Sequence, residues 1–411
     1  MSEQGYEISP TDDGGVLAPT GFSAAGVAAG IKRRSGALDV CILDAGRPVP
    51  AAAVFTQNTM AAPPVEVSRE AVAGGTLRAW VVNAGNANAC TGAAGMADAR
   101  TMVEAAASAL GCEPSEIGVA STGVIGVLLP VDRVCSGILA AADALGSSAE
   151  HGEAAARAIM TTDTFVKQAA FRVQVDGAVY TVGGMAKGSG MIEPNMATML
   201  AFLTTDAPLT PEACRVLLAS VVDRTFNRIT VDGDSSTNDT CALVASGEAG
   251  GGPIGPEHPH LPAIEAALTR VSDVLARMIV RDGEGATKLI EVTVRGAESE
   301  PDAVAAAREI ANSPLFKTAL FGRDANWGRV AMALGNSGAA VDPSRVEIVF
   351  AGITTCKDGT AVEFSEEEAA EALAADEVSV TVDLHLGTGH ATVLTCDLTY
   401  EYVRINGEYR T

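Results

Sequence analysis

Between Gly183 and Leu203 the chain reads GGMAKGSGMIEPNMATMLAFL, and this stretch constrains the fold more than any other. It opens glycine-rich, with Lys187 set between Ala186 and Gly188. Gly188 and Gly190 permit backbone conformations and close approaches closed to other residues. The segment passes Pro194-Asn195-Met196-Ala197, reaches Thr198, and is almost wholly apolar from Met199 onward. This pattern predicts constrained, irregular backbone feeding a buried strand or helix. A hydroxyl at the mouth of an apolar run needs a reason. One reason is an N-cap, a position threonine fills well; the other is chemistry at the hydroxyl itself.

With 411 residues, 47% of them hydrophobic, the chain can bury a large core and has room for two or three domains. Its net charge of −23 argues against nucleic acid, which selects a basic footprint, and against anionic membrane surfaces. No uninterrupted apolar run approaches the roughly 18 residues of a membrane helix. The N-terminal MSEQGYEISPTDDGG lacks the basic region and apolar core of a secretory signal, so a cytoplasmic protein is expected. The eight cysteines are scattered without a CxxC pair and read as small hydrophobes. The five histidines have no zinc-like spacing, so no metal site is expected.

Along the chain, residues 1–18 read as polar and ragged. Leu38–Leu43, Ala51–Thr56 and Leu77–Asn83 read as three strands. The last runs into NAGNANACTG, loop chemistry that delivers backbone amides and Asn side chains to one place. Gly95–Leu110 has helical period and composition. The strand from Ile117 ends in Ser121-Thr122-Gly123, where a hydroxyl and an unobstructed amide can stand side by side. Two donors so placed suit a developing oxyanion, although the step alone is a weak signal. Helix from Glu153 ends in Thr161-Thr162-Asp163-Thr164, readable as a capped turn. Phe171–Val175 and Ala178–Val182 form a hairpin around Asp176-Gly177. Thr210-Pro211-Glu212 starts a helix. Ile229–Asp239, crowded with Asp, Ser, Thr and Asn, reads as a hydrogen-bonded loop, since its spacing does not fit an EF-hand. A helix from Pro262 ends at Asp282-Gly283-Glu284-Gly285, where Glu284 reads most simply as a solvated charge. The alternating stretches Val378–Leu386 and Ala391–Leu398 read as a second hairpin.

The segment GGMAKGSGMIEPNMATML resembles the self-cleavage region of the ornithine acetyltransferase family, the glutamate N-acetyltransferases of arginine biosynthesis. Other matches follow in the family's order over nearly the whole chain: NAGNANACTG, Thr122-Gly123, Thr161-Thr162-Asp163, DGEGATK from Asp282, DANWGR from Asp324, and the C-terminal residues. The resemblance implies an α/β fold, a layered sandwich with helices outside two central β-sheets and the nucleophile between them. It implies self-cleavage between Ala197 and Thr198, giving an α fragment (1–197) and a β fragment (198–411) that assemble as two of each. Thr198 would be the nucleophile, and Thr122 with Gly123 the oxyanion hole. Thr161, in preference to Thr162, would contact substrate with Lys187, Thr198, Glu284, Asn406 and Thr411. Gly407 stands where the family commonly has Ser or Ala.

The implied reaction carries acetyl from N-acetylornithine to glutamate without a cofactor; some relatives also accept acetyl-CoA as donor. By charge, Lys187 suits the α-carboxylate shared by both substrates, and Glu284 suits the side-chain ammonium of ornithine. Two rivals stand beside this reading. One is an aminopeptidase or amidase of the same fold, with water as acceptor. The other is an acidic binding protein in which Thr198 is only a cap.

Overall fold

The computed structural model describes residues 5–11, 15–193 and 199–408. Its first body is built on β1 (Tyr6–Pro10), β2 (Ser23–Val27), β3 (Val40–Phe55), β4 (Thr76–Asn86), β5 (Ile117–Val124), β6 (Lys167–Val175), β7 (Ala178–Lys187), β8 (Leu200–Thr205) and β9 (Thr240–Ala245). Side chains alternate across a strand, and here the alternation sorts them into three layers of core. Val40, Ile42, Val81 and Val119 face helices Gly92–Leu110 and Val131–Asp143. Their neighbours Cys41, Leu43, Trp80 and Val82 face inward, onto Met185, Phe202 and Ala242. On β8 and β9, Ala201, Leu203, Cys241 and Leu243 face outward again, onto helices Pro211–Arg224 and Leu261–Arg281. The result is helices, sheet, sheet, helices: the α/β sandwich expected.

Strand β3 ties the two sheets together. Its first half pairs with β2 and β4, its second half with β9, and the register shifts between Asp44 and Val49. The two strands expected at Leu38–Leu43 and Ala51–Thr56 are therefore one bent strand. The N-terminal residues also differ from expectation: Tyr6–Pro10 pairs antiparallel with β6 as an edge strand, and Tyr6 and Ile8 pack on the core. Gly183–Lys187, expected to be irregular, is regular β7. A Cβ on Gly183 would lie 2.1 Å from the Gly15 carbonyl oxygen, and one on Gly184 would press on Leu203 and Leu275. Those glycines serve close packing within a strand.

The second body is a six-stranded sheet of β10 (Leu289–Ala297), β11 (Glu347–Phe350), β12 (Ile353–Lys357), β13 (Thr360–Ala361), β14 (Glu377–Asp383) and β15 (Gly389–Cys396). Its inner face packs on helices Glu300–Asn312, Pro314–Phe321 and Trp327–Asn336. The hairpin expected at β14–β15 does not form, because β10 lies between them, parallel to β14 and antiparallel to β15. The connection crosses the end of β10, where a Cβ on Gly387 would meet the Ala297 carbonyl oxygen at 2.5 Å. DANWGR is a helix start, with Asn326 capping through the Arg329 amide. Among the described residues no helix is long and apolar enough to cross a membrane, and no cluster of His, Cys, Asp and Glu could hold a metal ion.

Trp80 and Phe202, both buried, meet across the two sheets with ring centroids 5.5 Å apart. Truncating a large buried aromatic costs about 3–5 kcal/mol. Phe202→Ala should therefore lower unfolding stability by that amount in a denaturant titration. An unchanged midpoint would mean that the inter-sheet contact contributes nothing.

Candidate active site

A cavity of about 200 Å³ opens where the two sheets end together. One sheet supplies Thr122 and Gly123 from the end of β5. The other supplies Lys187 from the end of β7 and Met199-Leu200 from the start of β8. Three further segments close it: Asp232–Asp239, the turn carrying Glu284, and the C-terminal helix Tyr400–Glu408.

Thr122 and Gly123 reach the cavity because β4 and β5 run parallel, with Ala84 opposite Thr122 and Gly85 opposite Gly123. Gly123 has φ +129°, and a Cβ there would lie 2.4 Å from the Gly85 carbonyl carbon and 2.6 Å from the Asn86 nitrogen. Only glycine fits where the two strand ends approach this closely. The Asn side chains of NAGNANACTG are engaged in holding backbone, while Ala87 of that run lines the cavity. Asn86 donates to the carbonyls of Val127 and Leu128, and its side chain accepts from the Asn88 amide. Asn88 donates to the Gly95 carbonyl. These side chains bind the loop together and do not reach the cavity as donors.

Lys187 is buried, and its Nζ donates to Thr122 Oγ1 at 3.2 Å. A hydroxyl that accepts from an ammonium keeps its own proton free for another acceptor. Burial pushes the Lys187 amine below its ordinary value; Asp163 opposes this, Lys167 adds to it, and Asp239 and Glu284 oppose it. Among the described lining residues Lys187 is the only cation, against Asp232, Asp234, Asp239 and Glu284.

Glu284 is only 8% exposed, so it is not the solvated charge its flanking glycines suggest. Its Oε2 accepts from Asn406 Nδ2 at 2.9 Å. Two glycines make room. A Cβ on Gly190 would lie 2.5 Å from the Glu284 carboxylate, and one on Gly285 would lie 2.4 Å from the Tyr402 nitrogen. The loop opposite is fixed by Asn238, which donates to the carbonyls of Ala87 (2.6 Å) and Ser121 (2.9 Å). It is also fixed by Asp232, which accepts from the amides of Met191 and Ile192. Burial pushes the Asp232 carboxyl up.

Of the residues singled out in the sequence, Thr122, Gly123, Thr161, Lys187, Glu284 and Asn406 line this one cavity, and so does Thr162. Ala197, Thr198 and Thr411 lie outside the described residues. Met199, the next residue after Thr198, is in the wall. Asp232 and Tyr402 are among the wall residues not anticipated individually. Asp232 was hidden in a polar run. Tyr402 stands one helical turn before Asn406, a spacing that puts both on one face, and its hydroxyl lies 3.5 Å from Asp232 Oδ2.

A model of the ArgJ family matches residues 23–411. The arginine biosynthesis bifunctional protein ArgJ of Symbiobacterium thermophilum is 55% identical over 399 residues, covering 97% of this chain and 99% of that one. The protein of the same name from Geobacillus stearothermophilus is 45% identical over 412 residues, covering 100% of both. Among solved structures, the ArgJ protein of Bacillus halodurans is 46% identical, covering 50% of this chain and 97% of that one at a TM-score of 0.49. An ornithine acetyltransferase of Mycobacterium tuberculosis, solved in complex with ornithine, is 44% identical, covering 46% and 100% at a TM-score of 0.44. With full-length identity at this level and the family model spanning nearly all of the sequence, this chain belongs to the ArgJ family.

Proposed function

We propose that this chain is a cytoplasmic acyltransferase of arginine biosynthesis that moves acetyl from N-acetylornithine to glutamate through an acetyl ester on Thr198. The observation that carries the reading is the meeting, in one cavity, of Thr122, Gly123, Lys187 and Glu284 with the residue that follows Thr198. Family membership supports it: the relatives named above are bifunctional arginine-biosynthesis proteins.

The chain first processes itself. The Thr198 hydroxyl attacks the Ala197 carbonyl and displaces its own amide nitrogen, which takes up a proton. Water opens the ester, leaving a carboxylate on Ala197 and a free α-amine on Thr198. The ordinary α-amine pKa of about 7.7–8.0 lets it accept a proton near neutrality, so nucleophile and base share one residue. Thr198 Oγ then attacks the acetyl carbonyl of N-acetylornithine, and its proton passes through the α-amine to the departing ornithine nitrogen. Glutamate's amine attacks the ester, N-acetylglutamate leaves, and the hydroxyl is restored. In each tetrahedral intermediate the negative oxygen falls to the Thr122 hydroxyl and the Gly123 amide. Lys187 takes the α-carboxylate common to both substrates, and Glu284 takes the ornithine ammonium. The same ester can be loaded from acetyl-CoA. The fragments 1–197 and 198–411 stay together, two of each.

Processing is tested on a denaturing gel. Two bands are expected, the larger beginning Thr198-Met199-Leu200, with Thr198→Ala whole and inactive; a fully active uncut chain would overturn the mechanism. N-acetylornithine without glutamate should add one acetyl mass to Thr198, whereas steady release of acetate would make water the acceptor.

Thr122→Ala should lower turnover about 100- to 1000-fold, the usual loss for one oxyanion donor. Wild-type turnover would leave Thr122 a structural residue only.

Glu284→Gln should slow the acetylornithine half-reaction more than acetyl release to glutamate, measured separately by rapid quench. Equal effects on both halves would remove Glu284 from recognition of the ornithine ammonium.

A further inference from the structure

Lys167 begins β6, has no exposed surface, and stands opposite Ala186 in the ladder, hence beside Lys187. Its Nζ lies 2.7 Å from Asp163 Oδ1 and 2.5 Å from Asp282 Oδ2. Asp163 Oδ1 also accepts from the Gly188 amide at 2.7 Å, and Oδ2 accepts from the Thr161 amide at 2.9 Å. Asp282 accepts from the Thr164 amide at 3.0 Å and from the Thr164 hydroxyl. Its carbonyl accepts from Ser189 Oγ at 2.5 Å, while the Glu284 amide donates to the Ser189 carbonyl at 2.9 Å. One buried ammonium therefore fastens three segments, 161–164, 188–190 and 282–284. Each carries or adjoins a cavity residue: Thr161, Lys187 and Glu284.

The charges in this cluster do not balance within it. Two carboxylates face one ammonium, and Lys187 is a further cation that acts on Asp163. Three carboxylates face Lys187 and favour its charged form, Asp163 foremost, then Asp239 and Glu284; Lys167 opposes it. Half-buried Lys32 also feels Lys187 and Asp163, and its own amine is pushed down to about 8, first by burial. Burial alone would raise the Asp163 carboxyl, but Lys167, Lys187 and its hydrogen bonds hold it at about 2. Asp163 is therefore a fixed negative charge across the working pH range.

We propose that the buried Asp163–Lys167–Asp282 cluster is a positioning device for Lys187, setting both its place at Thr122 and its charge. None of the three lines the cavity, so they act through Lys187. Its kinetic consequence rests on the acetyl-transfer reading given above, whereas its electrostatic consequence does not. An opposite charge within about 4–6 Å favours the charged form by about one pH unit or more. Without Asp163, Lys187 should lose its proton at lower pH. The sign reverses for Lys167, whose removal takes away a like charge.

The test titrates Lys187 directly by trace labelling of the processed protein with limiting acetic anhydride, read peptide by peptide in a mass spectrometer. Asp163→Asn should move the Lys187 titration down by about one pH unit or more. Asp163, and not Asp282, stands among the main charges acting on Lys187, so Asp282→Asn should move it less. Asp163→Glu should restore the wild-type curve. Where Asp163→Asn does not yield folded protein, Lys167→Gln carries the test with the opposite sign, because it removes a like charge that opposes the charged form of Lys187. The alkaline limb of kcat/KM for acetyl transfer should move with the labelling curve. An unmoved Lys187 titration in folded Asp163→Asn or Lys167→Gln, or equal shifts for Asp163→Asn and Asp282→Asn, would overturn the proposal. Wild-type protein that labels as expected but transfers no acetyl to glutamate would instead overturn the functional reading and leave the cluster standing.

Discussion

Two ammonium groups, those of Lys167 and Lys187, lie inside the sandwich, and the architecture around the cavity depends on holding them there. Taking an ion out of water costs several kcal/mol unless partners replace its hydration. Lys167 is compensated completely, by two carboxylates at contact distance. Lys187 is compensated at longer range, and its ammonium donates to a neutral hydroxyl. The difference is functional in form. The first lysine is committed to structure, and the second keeps donor capacity at the cavity wall.

The site's position follows from the two-sheet architecture. A sandwich closes its core along the strands and leaves side chains unpaired only where strands stop. Here β5 stops at Thr122-Gly123, β7 stops at Lys187, and β8 begins beside them, so both sheets present their ends to one volume. Parallel pairing of β4 with β5 and of β8 with β9 requires long crossovers. The second of these crossovers brings the loop at Asp232–Asn238 over the same end, and the connection from helix Leu261–Arg281 to β10 brings the turn at Glu284 there.

Much of this was legible locally, and the failures have a common cause. The strand at Ile117, the helix capped by Thr210, and the polar loop at Ile229–Asp239 announce themselves through period, caps and composition. Glycine was the misleading signal. Gly183 and Gly184 looked like loop residues, yet they lie within a strand because neighbouring atoms occupy the space of a Cβ. Glu284 looked solvated between glycines, whereas Gly190 and Gly285 make the room that buries it. The false hairpin at β14–β15 is the same limit in another form: alternation tells which face is buried and says nothing of which strand lies alongside. Lys167, Asp163 and Asp282 are separated by up to 119 positions in sequence, and no local pattern joins them.

A cut at Ala197 would put β7 in one fragment and β8 in the other, and the ladder between them runs from Val182–Thr205 to Lys187–Leu200. Separating the fragments would break those main-chain pairs and expose both faces of β8. Phe202 would leave Trp80, and Leu203 would leave the helices packed on the outer face. Each such side chain contributes about 1.5–3 kcal/mol by burial, so the sheet opposes separation at that ladder. The same packing anchors the chain immediately downstream of Thr198. Leu200 pairs with both Lys187 and Thr240, leaving the start of β8 little freedom after a peptide bond is lost.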